Sequence, residues 1–319
     1  MWYKINFKPK SGVISDLSAD ILWGHLIWGL VYSGRGDLVK DIISSPKNML
    51  CSSIFIEKDS TGGIFIPALN IPAVTEISAL DNSDDSTDYK KLKKIPYIPM
   101  SLLKAIAGDF SIRVYLSKLK DYVEKERSGF FRAVKNFHNT INRLNGTVLE
   151  KGGFFAREEK FLIKGYSFTA FINWEYEKNL LADLLSLVSA FGYGADSNAG
   201  KGHILFDRGN GIKELNPGFF GDRNSSDAVV LLSHCAVCDK EFDLSRSFYK
   251  LKTKIGRLGG SYAGRFPYFK RSVVLLREGS VIAVKGKKDF YGDLIRGVHI
   301  DKDIVHYGIG VPYWVNTGE

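Results

Sequence analysis

Two apolar stripes at helical spacing, each set between strand-like segments, constrain this chain more than any other feature. Ala19, Leu22, Trp23, Leu26, Ile27 and Leu30 recur at steps of three and one, which predicts one buried helix face. Asp16 and Ser18 stand where caps belong. Before them, Met1–Phe7 alternates as a strand does. The second stripe is Leu180, Leu181, Leu184, Leu185 and Val188, closed by Gly192 at the C-terminal cap position. It lies between strand-like runs at about 166–174 and 203–206. Leu50–Ile56 and Ile64–Leu69, separated by Lys58–Gly63, read as a hairpin-like pair. The order strand, helix, strands, then helix and strand predicts an α+β unit of ferredoxin-like topology, the arrangement shared with RNA-recognition folds.

The rest of the chain is less periodic. Leu102, Leu103, Ile106 and Phe110 predict a helix from Ser101 to about Glu126. Phe130–Lys160 has no clean period and is rich in turn residues. Asp81–Asp88 is acidic and serine-rich and Lys90–Lys94 is basic, the pattern of a solvated loop. Residues 207–227 hold several glycines and Pro217 and read as a linker after a first domain of residues 1–206. From 228 to 319, short strand-like runs (Val229–Leu232, Ser272–Leu276, Val281–Val284, Val305–Val315) predict a second, more irregular ferredoxin-like unit.

With 319 residues and 45% hydrophobic content, the chain is long enough for two globular domains. Its longest apolar stretch, Ala19–Val31, is interrupted by Gly24, His25 and Gly29, so no membrane span is expected. The N-terminus carries no signal-peptide pattern, and the cytoplasm is the expected location. Cys235 and Cys238 form a lone CxxC without the second ligand pair of a structural zinc site, so neither metal nor cofactor is expected. The net charge is +9, and the segment Phe242–Phe290 alone, with twelve Lys/Arg against Asp243, Glu278 and Asp289, accounts for that excess. Interleaved with Phe248, Tyr249, Tyr262, Phe266, Tyr268 and Phe269, this charge points to a nucleic-acid face that includes Lys254 and Arg257.

Phe191–His203 is glycine-rich and ends in Gly200-Lys201-Gly202. A P-loop would need glycine at Ala195 and Ser or Thr at Gly202, and it would run from strand into helix. Here the order is helix, loop, strand, which also removes the dinucleotide fingerprint. What remains is a backbone able to approach a ligand closely at Gly194, Gly200 and Gly202, with Lys201 adding charge, suited to phosphate.

That helix–loop–strand arrangement resembles the hallmark loop of the RAMP superfamily of CRISPR proteins, and within it the fourth subunit of the type III-A Csm complex. Ser18–Leu26 is similar to that family's opening helix, and Ile98–Lys104 to the superfamily's Pro-x-Ser-x-x-Lys-Gly guide-contact motif, with Ala105 in place of the glycine. His138–Arg143 followed by Gly152–Phe155 resembles a thumb-like insertion, about residues 128–160, that lies against guide RNA. Glu278–Val281 and Tyr307–Gly310 are also similar to family segments. The resemblance implies two ferredoxin-like units and a non-catalytic subunit. It implies binding of the guide RNA at its 5′ repeat-derived handle, with the large polymerase-like subunit and a backbone RAMP subunit as partners. Expected RNA contacts are Ser101, Lys104, His138, Arg143, Arg157 and Lys201, with backbone access at the three glycines. The alternative is a metal-independent endoribonuclease of the same superfamily, for which His25, His138 and His203 are the candidate acid–base groups.

Overall fold

The computed structural model describes residues 1–71, 91–123, 129–149, 151 and 153–318. The chain opens with β1 (Trp2–Pro9), α1 (Ala19–Tyr32) and α2 (Gly36–Ser44), then β2 (Met49–Cys51), β3 (Phe55–Lys58), β4 (Ile64–Pro67) and β5 (Tyr97–Pro99). Next come α3 (Met100–Ile106), α4 (Ile112–Val123), β6 (Phe131–Asn139), β7 (Phe154–Leu162) and β8 (Tyr166–Trp174). They are followed by α5 (Lys178–Phe191), β9 (Ile204–Phe206) and β10 (Ile212–Glu214).

Strands β10, β1, β8, β3, β4 and β5 lie in that order in one antiparallel sheet, with β2 also on β8 and β9 also on β1. The last strand of the helix-flanked set, β9, therefore pairs with the first, and the first with β8. Six of the eight residues of β8 that follow Tyr166 are apolar or Thr, and all eight are buried. A strand covered on both faces reads as a continuous run, which explains why it lacks alternation. Helix α1 buries Ala19, Leu22, Trp23, Leu26 and Leu30, and α5 buries Leu181, Leu184, Leu185 and Val188, so both expected stripes face the core. Gly29 lies against Leu184, where the two helices meet.

Three local details differ from the sequence reading. Ser18 takes the extended N-cap conformation, but its hydroxyl accepts a bond from Lys254 Nζ (2.7 Å) and caps no helix N–H. The single helix expected from Ser101 is two, α3 and α4. The C-terminal Asn316 docks in the break, donating to Ala107 O and accepting from the Phe110 N–H, both at 2.7 Å. Residues 207–227 are more than a connection: β10 adds to the sheet beside β1, and Phe219 and Phe220 pack on Phe171. Three strand residues are too short a run to show a period. The acidic stretch Asp81–Asp88 lies outside the described residues.

Beyond residue 227 the chain forms β11 (Ala228–Leu231), β12 (Cys235–Ala236), β13 (Phe242–Phe248), β14 (Leu251–Lys254) and β15 (Val273–Leu276). It ends with β16 (Val281–Val284), β17 (Tyr291–Ile295), β18 (His306–Gly310) and β19 (Pro312–Val315). These build sheets ordered β13–β16–β11–β19 and β12–β15–β14, and the pair β17–β18. No α-helix occurs among the described residues of this part. One hydrophobic core runs from Tyr3 through Val315 and joins it to the first sheet. Trp23 of α1 stacks on Tyr307 (5.5 Å between centroids), whose hydroxyl accepts from the Cys51 N–H (2.7 Å) and donates to its carbonyl (3.0 Å). The β2–β3 interruption lets Ser53 donate its N–H to Leu232 O at 2.9 Å, a second main-chain tie.

Candidate nucleic-acid interface

Helix α5 ends at Gly192, whose φ of 80° turns the chain away from the helix. Tyr193 then folds inward, fully buried, and its hydroxyl donates to Asp16 O at 2.8 Å. Across the loop, the Tyr193 N–H donates to Gly202 O and the Gly202 N–H to Gly12 O, both at 2.8 Å. The loop is thus pinned at its base to the segment before α1. The Gly194 N–H donates to His25 Nε2 (2.9 Å) and the Ala195 N–H to Ser15 Oγ (2.7 Å).

The turn-rich region without a period is a long antiparallel hairpin, β6 with β7, in register from Phe131↔Leu162 to Asn139↔Phe154. It joins the body through the backbone pair Val13–Lys160, with both N–H···O bonds at 2.9 Å. Two ion pairs bind it to the glycine-rich loop: Lys201 with the buried Glu159, and Arg157 with Asp196. Glu159 also accepts from Asn136 Nδ2 at 2.8 Å. On the loop-facing side, His138 stacks on Phe155 (5.4 Å, 20° between planes) and Arg157 lies 5.5 Å from the Phe155 centroid. On the opposite side Phe137 and Phe154 stack nearly parallel (5.4 Å, 6°), and they are 65% and 66% exposed. At the tip Leu144 is 97% exposed and Ile141 60%. Exposed stacked rings toward the tip of this arm offer flat faces to splayed bases.

The structure brings His138, Arg157, Lys201, Gly194, Gly200 and Gly202 together and leaves Arg143 exposed in the hairpin turn. Lys201 and Arg157 each hold an intramolecular carboxylate, so their charge first anchors hairpin to loop. Alanine at Lys201 strands the Glu159 carboxylate and affects stability as well as any ligand. Ser101 and Lys104 lie on α3, where Lys104 Nζ sits 4.7 Å over the Phe219 ring. No described contact joins them to the loop. Lys254 is engaged by Asp20 (2.5 Å) and Ser18, while Arg257 is exposed in a backbone bridge to Phe269.

Several cations of the basic C-terminal segment are engaged in the same way. Lys252 pairs with Asp16 (2.5 Å), Lys288 with Glu241 (2.7 Å) and Arg265 with Asp301 (3.3 Å), and Lys270 donates to Val305 O (2.6 Å). Lys250 and Arg277 have no acidic partner among the described residues. The sequence reading counted both in the basic segment but singled out Lys254 and Arg257 instead, and it assigned no role to Phe137, Phe154, Glu159 or Asp196. Strand alternation, its available signal for the hairpin, requires one apolar buried face, and the face covered here carries Asn136, Arg157 and Glu159.

Cys235 is buried in the core of the second part, and no group of three or more His, Cys, Asp or Glu able to hold a metal occurs among the described residues. No helix there is long and apolar enough to cross a membrane. His25 is not arranged as a proton donor. Its Nε2 accepts an N–H, and burial lowers its pKa to about 4. His306 is likewise lowered to about 4, by burial first and then by Lys270 and Lys254, against the opposing pull of Asp20. Both fold neutral and regain an ordinary value near 6.5 when unfolded. The unfolded chain therefore binds more protons between about pH 6.5 and 4, and stability falls as pH drops through that window. The expected loss is about 1.4 kcal/mol per histidine for each pH unit below 6.5. Urea midpoints at pH 7 and 5.5 test this, and a flat profile contradicts it.

The sheet backed by two helices, the helix–glycine loop–strand and the projecting hairpin together make a fold that chains of type III CRISPR assemblies share. A chain of a Csm1–Csm4 cassette in complex with cA4 matches with a TM-score of 0.60 and 14% identity, covering 100% of this chain and 99% of that one. A chain of the Csm3–Csm4 subcomplex of the type III-A CRISPR-Cas interference complex matches at 0.56 and 17% identity, covering 99% of each. The subunit common to both assemblies is Csm4, and the fold of this chain is Csm4-like. No family model and no curated protein matches the sequence.

Proposed function

We propose that this chain is a non-catalytic RNA-binding subunit of a type III-A CRISPR effector, gripping the 5′ repeat-derived handle of the guide RNA. One observation carries the reading: an arm with exposed aromatic stacks is locked by two ion pairs to a glycine-rich loop. Bases stack on the arm while backbone and charge at its foot hold phosphates. In this reading the chain is two ferredoxin-like units, residues 1–206 and 228–319, with 207–227 docked between them. It acts in the cytoplasm and joins the large polymerase-like subunit to a backbone subunit. The likeness to chains from assemblies that pair Csm4 with Csm1 and with Csm3 supports both partnerships.

The engagement of His25 by Gly194 supports a binding role over the endoribonuclease alternative. The test is fluorescence anisotropy of a labelled single-stranded repeat RNA across a salt series. Affinity is expected to fall at least tenfold between about 50 and 200 mM salt, as several phosphate contacts require, with the RNA recovered intact. Absence of binding overturns the reading. Metal-free cleavage abolished by His138→Ala replaces it with the nuclease.

A further inference from the structure

Where residues 67–71 and 92–96 of the first part meet Lys250, just before β14, and Arg277 and Glu278, just after β15, the surface forms a cavity of about 190 Å³. Lys93, Lys94, Lys250 and Arg277 line it, with Glu278 as the carboxylate. Glu278 is directed away from them: its Oε2 lies 2.6 Å from Nε2 of the buried His234. Lys94, Lys250 and Arg277 have no acidic partner among the described residues. The Lys250 ammonium is depressed by burial and by the like charges of Arg277 and Lys93. Folding holds these cations together against their repulsion, since the Arg277 N–H donates to Lys250 O at 2.8 Å.

Among the described residues, the cavity wall offers nothing for a base to stack on. Tyr115, its aromatic residue, is 1% exposed, and its hydroxyl already accepts the Leu69 N–H at 3.2 Å. A group bound here is therefore compact, anionic and read by charge alone. The cavity also continues the interface already described. Lys250 and Lys252 are two apart on extended chain and so project to one side. Lys252 reaches Asp16, whose carbonyl accepts the Tyr193 hydroxyl from the glycine-rich loop.

We propose that Lys94, Lys250 and Arg277 form a phosphate-binding pocket for the backbone of the same single-stranded RNA, beyond the glycine-rich loop and without base readout. This rests on the RNA-binding reading above, and it adds a second anchoring point at the seam between the two parts of the chain. The three side chains are exposed, so alanine there leaves the core intact.

The test compares full-length wild type, Lys250→Ala/Arg277→Ala and the charge-retaining Lys250→Arg for binding of a single-stranded repeat RNA over a salt series. Each phosphate contact to a single strand contributes about 0.7 to the slope of log affinity against log salt. The double variant is expected to bind about tenfold more weakly at low salt, with a slope shallower by about 1.4, while Lys250→Arg keeps the wild-type slope. A merely structural role would lower affinity without changing the slope. An unchanged slope in the double variant, with wild type still binding RNA, overturns the pocket alone. A wild type that does not bind RNA overturns the pocket together with the reading it rests on.

Discussion

Gly202→Ala is expected to cost about 3–5 kcal/mol, enough to unfold a marginal protein. Gly202 has a φ of 64°, which favours glycine, and a Cβ there would collide with the Tyr193 carbonyl. Relieving that collision breaks the Tyr193–Gly202 and Gly202–Gly12 hydrogen bonds at the base of the loop. The buried Tyr193 ring and the Lys201–Glu159 pair beside it then lose their support. Gly200→Ala is the control: its φ of 79° is equally unfavourable, but nothing lies within 4 Å of the added Cβ. It should cost about 1 kcal/mol, the conformational part only. Denaturant midpoints of the two variants test this, and equal losses would contradict the geometry.

The second large effect is on binding. Phe137→Ala with Phe154→Ala is expected to weaken single-stranded RNA binding on the order of a hundredfold, since each base stacked on an aromatic ring contributes about 1–3 kcal/mol. The two rings contact each other and little else, so stability should change by less than about 0.5 kcal/mol, as for ordinary surface substitutions. The loop-facing His138–Phe155 stack is closer to the ion pairs, and alanine there is expected to affect binding and stability together. Unchanged affinity in the outer-face variant, measured by anisotropy, would mean that the exposed pair serves no base.

Legibility in the sequence followed burial. The α1 and α5 stripes were readable because each buries one helix face and so carries a period, and the β3–β4 hairpin and the central strand β8 because they are buried apolar runs. The β6–β7 hairpin was not, because both of its faces meet solvent or the loop. The glycine-rich loop was visible as composition, and its order of helix, loop and strand is the one the structure shows. Its anchors, Glu159 and Asp196, were invisible because they depend on the long-range register between β7 and the loop. Charge count misled in one respect. The C-terminal excess is real, yet Lys252, Lys254, Lys270 and Lys288 are engaged within the protein, and it is Lys250 and Arg277 that face a cavity. Composition records how many cations a segment has and not which of them fold against a carboxylate.

The central claim is that the aromatic hairpin and the loop beneath it form one RNA-binding surface. Ultraviolet cross-linking of a uridine-containing single-stranded repeat RNA to the full chain, with adducts located by mass spectrometry, tests it most directly. The account predicts adducts on Phe137 or Phe154 of the outer face and on His138 or Phe155 above the loop. RNA that binds but cross-links only outside residues 131–162 and 192–202 would contradict it.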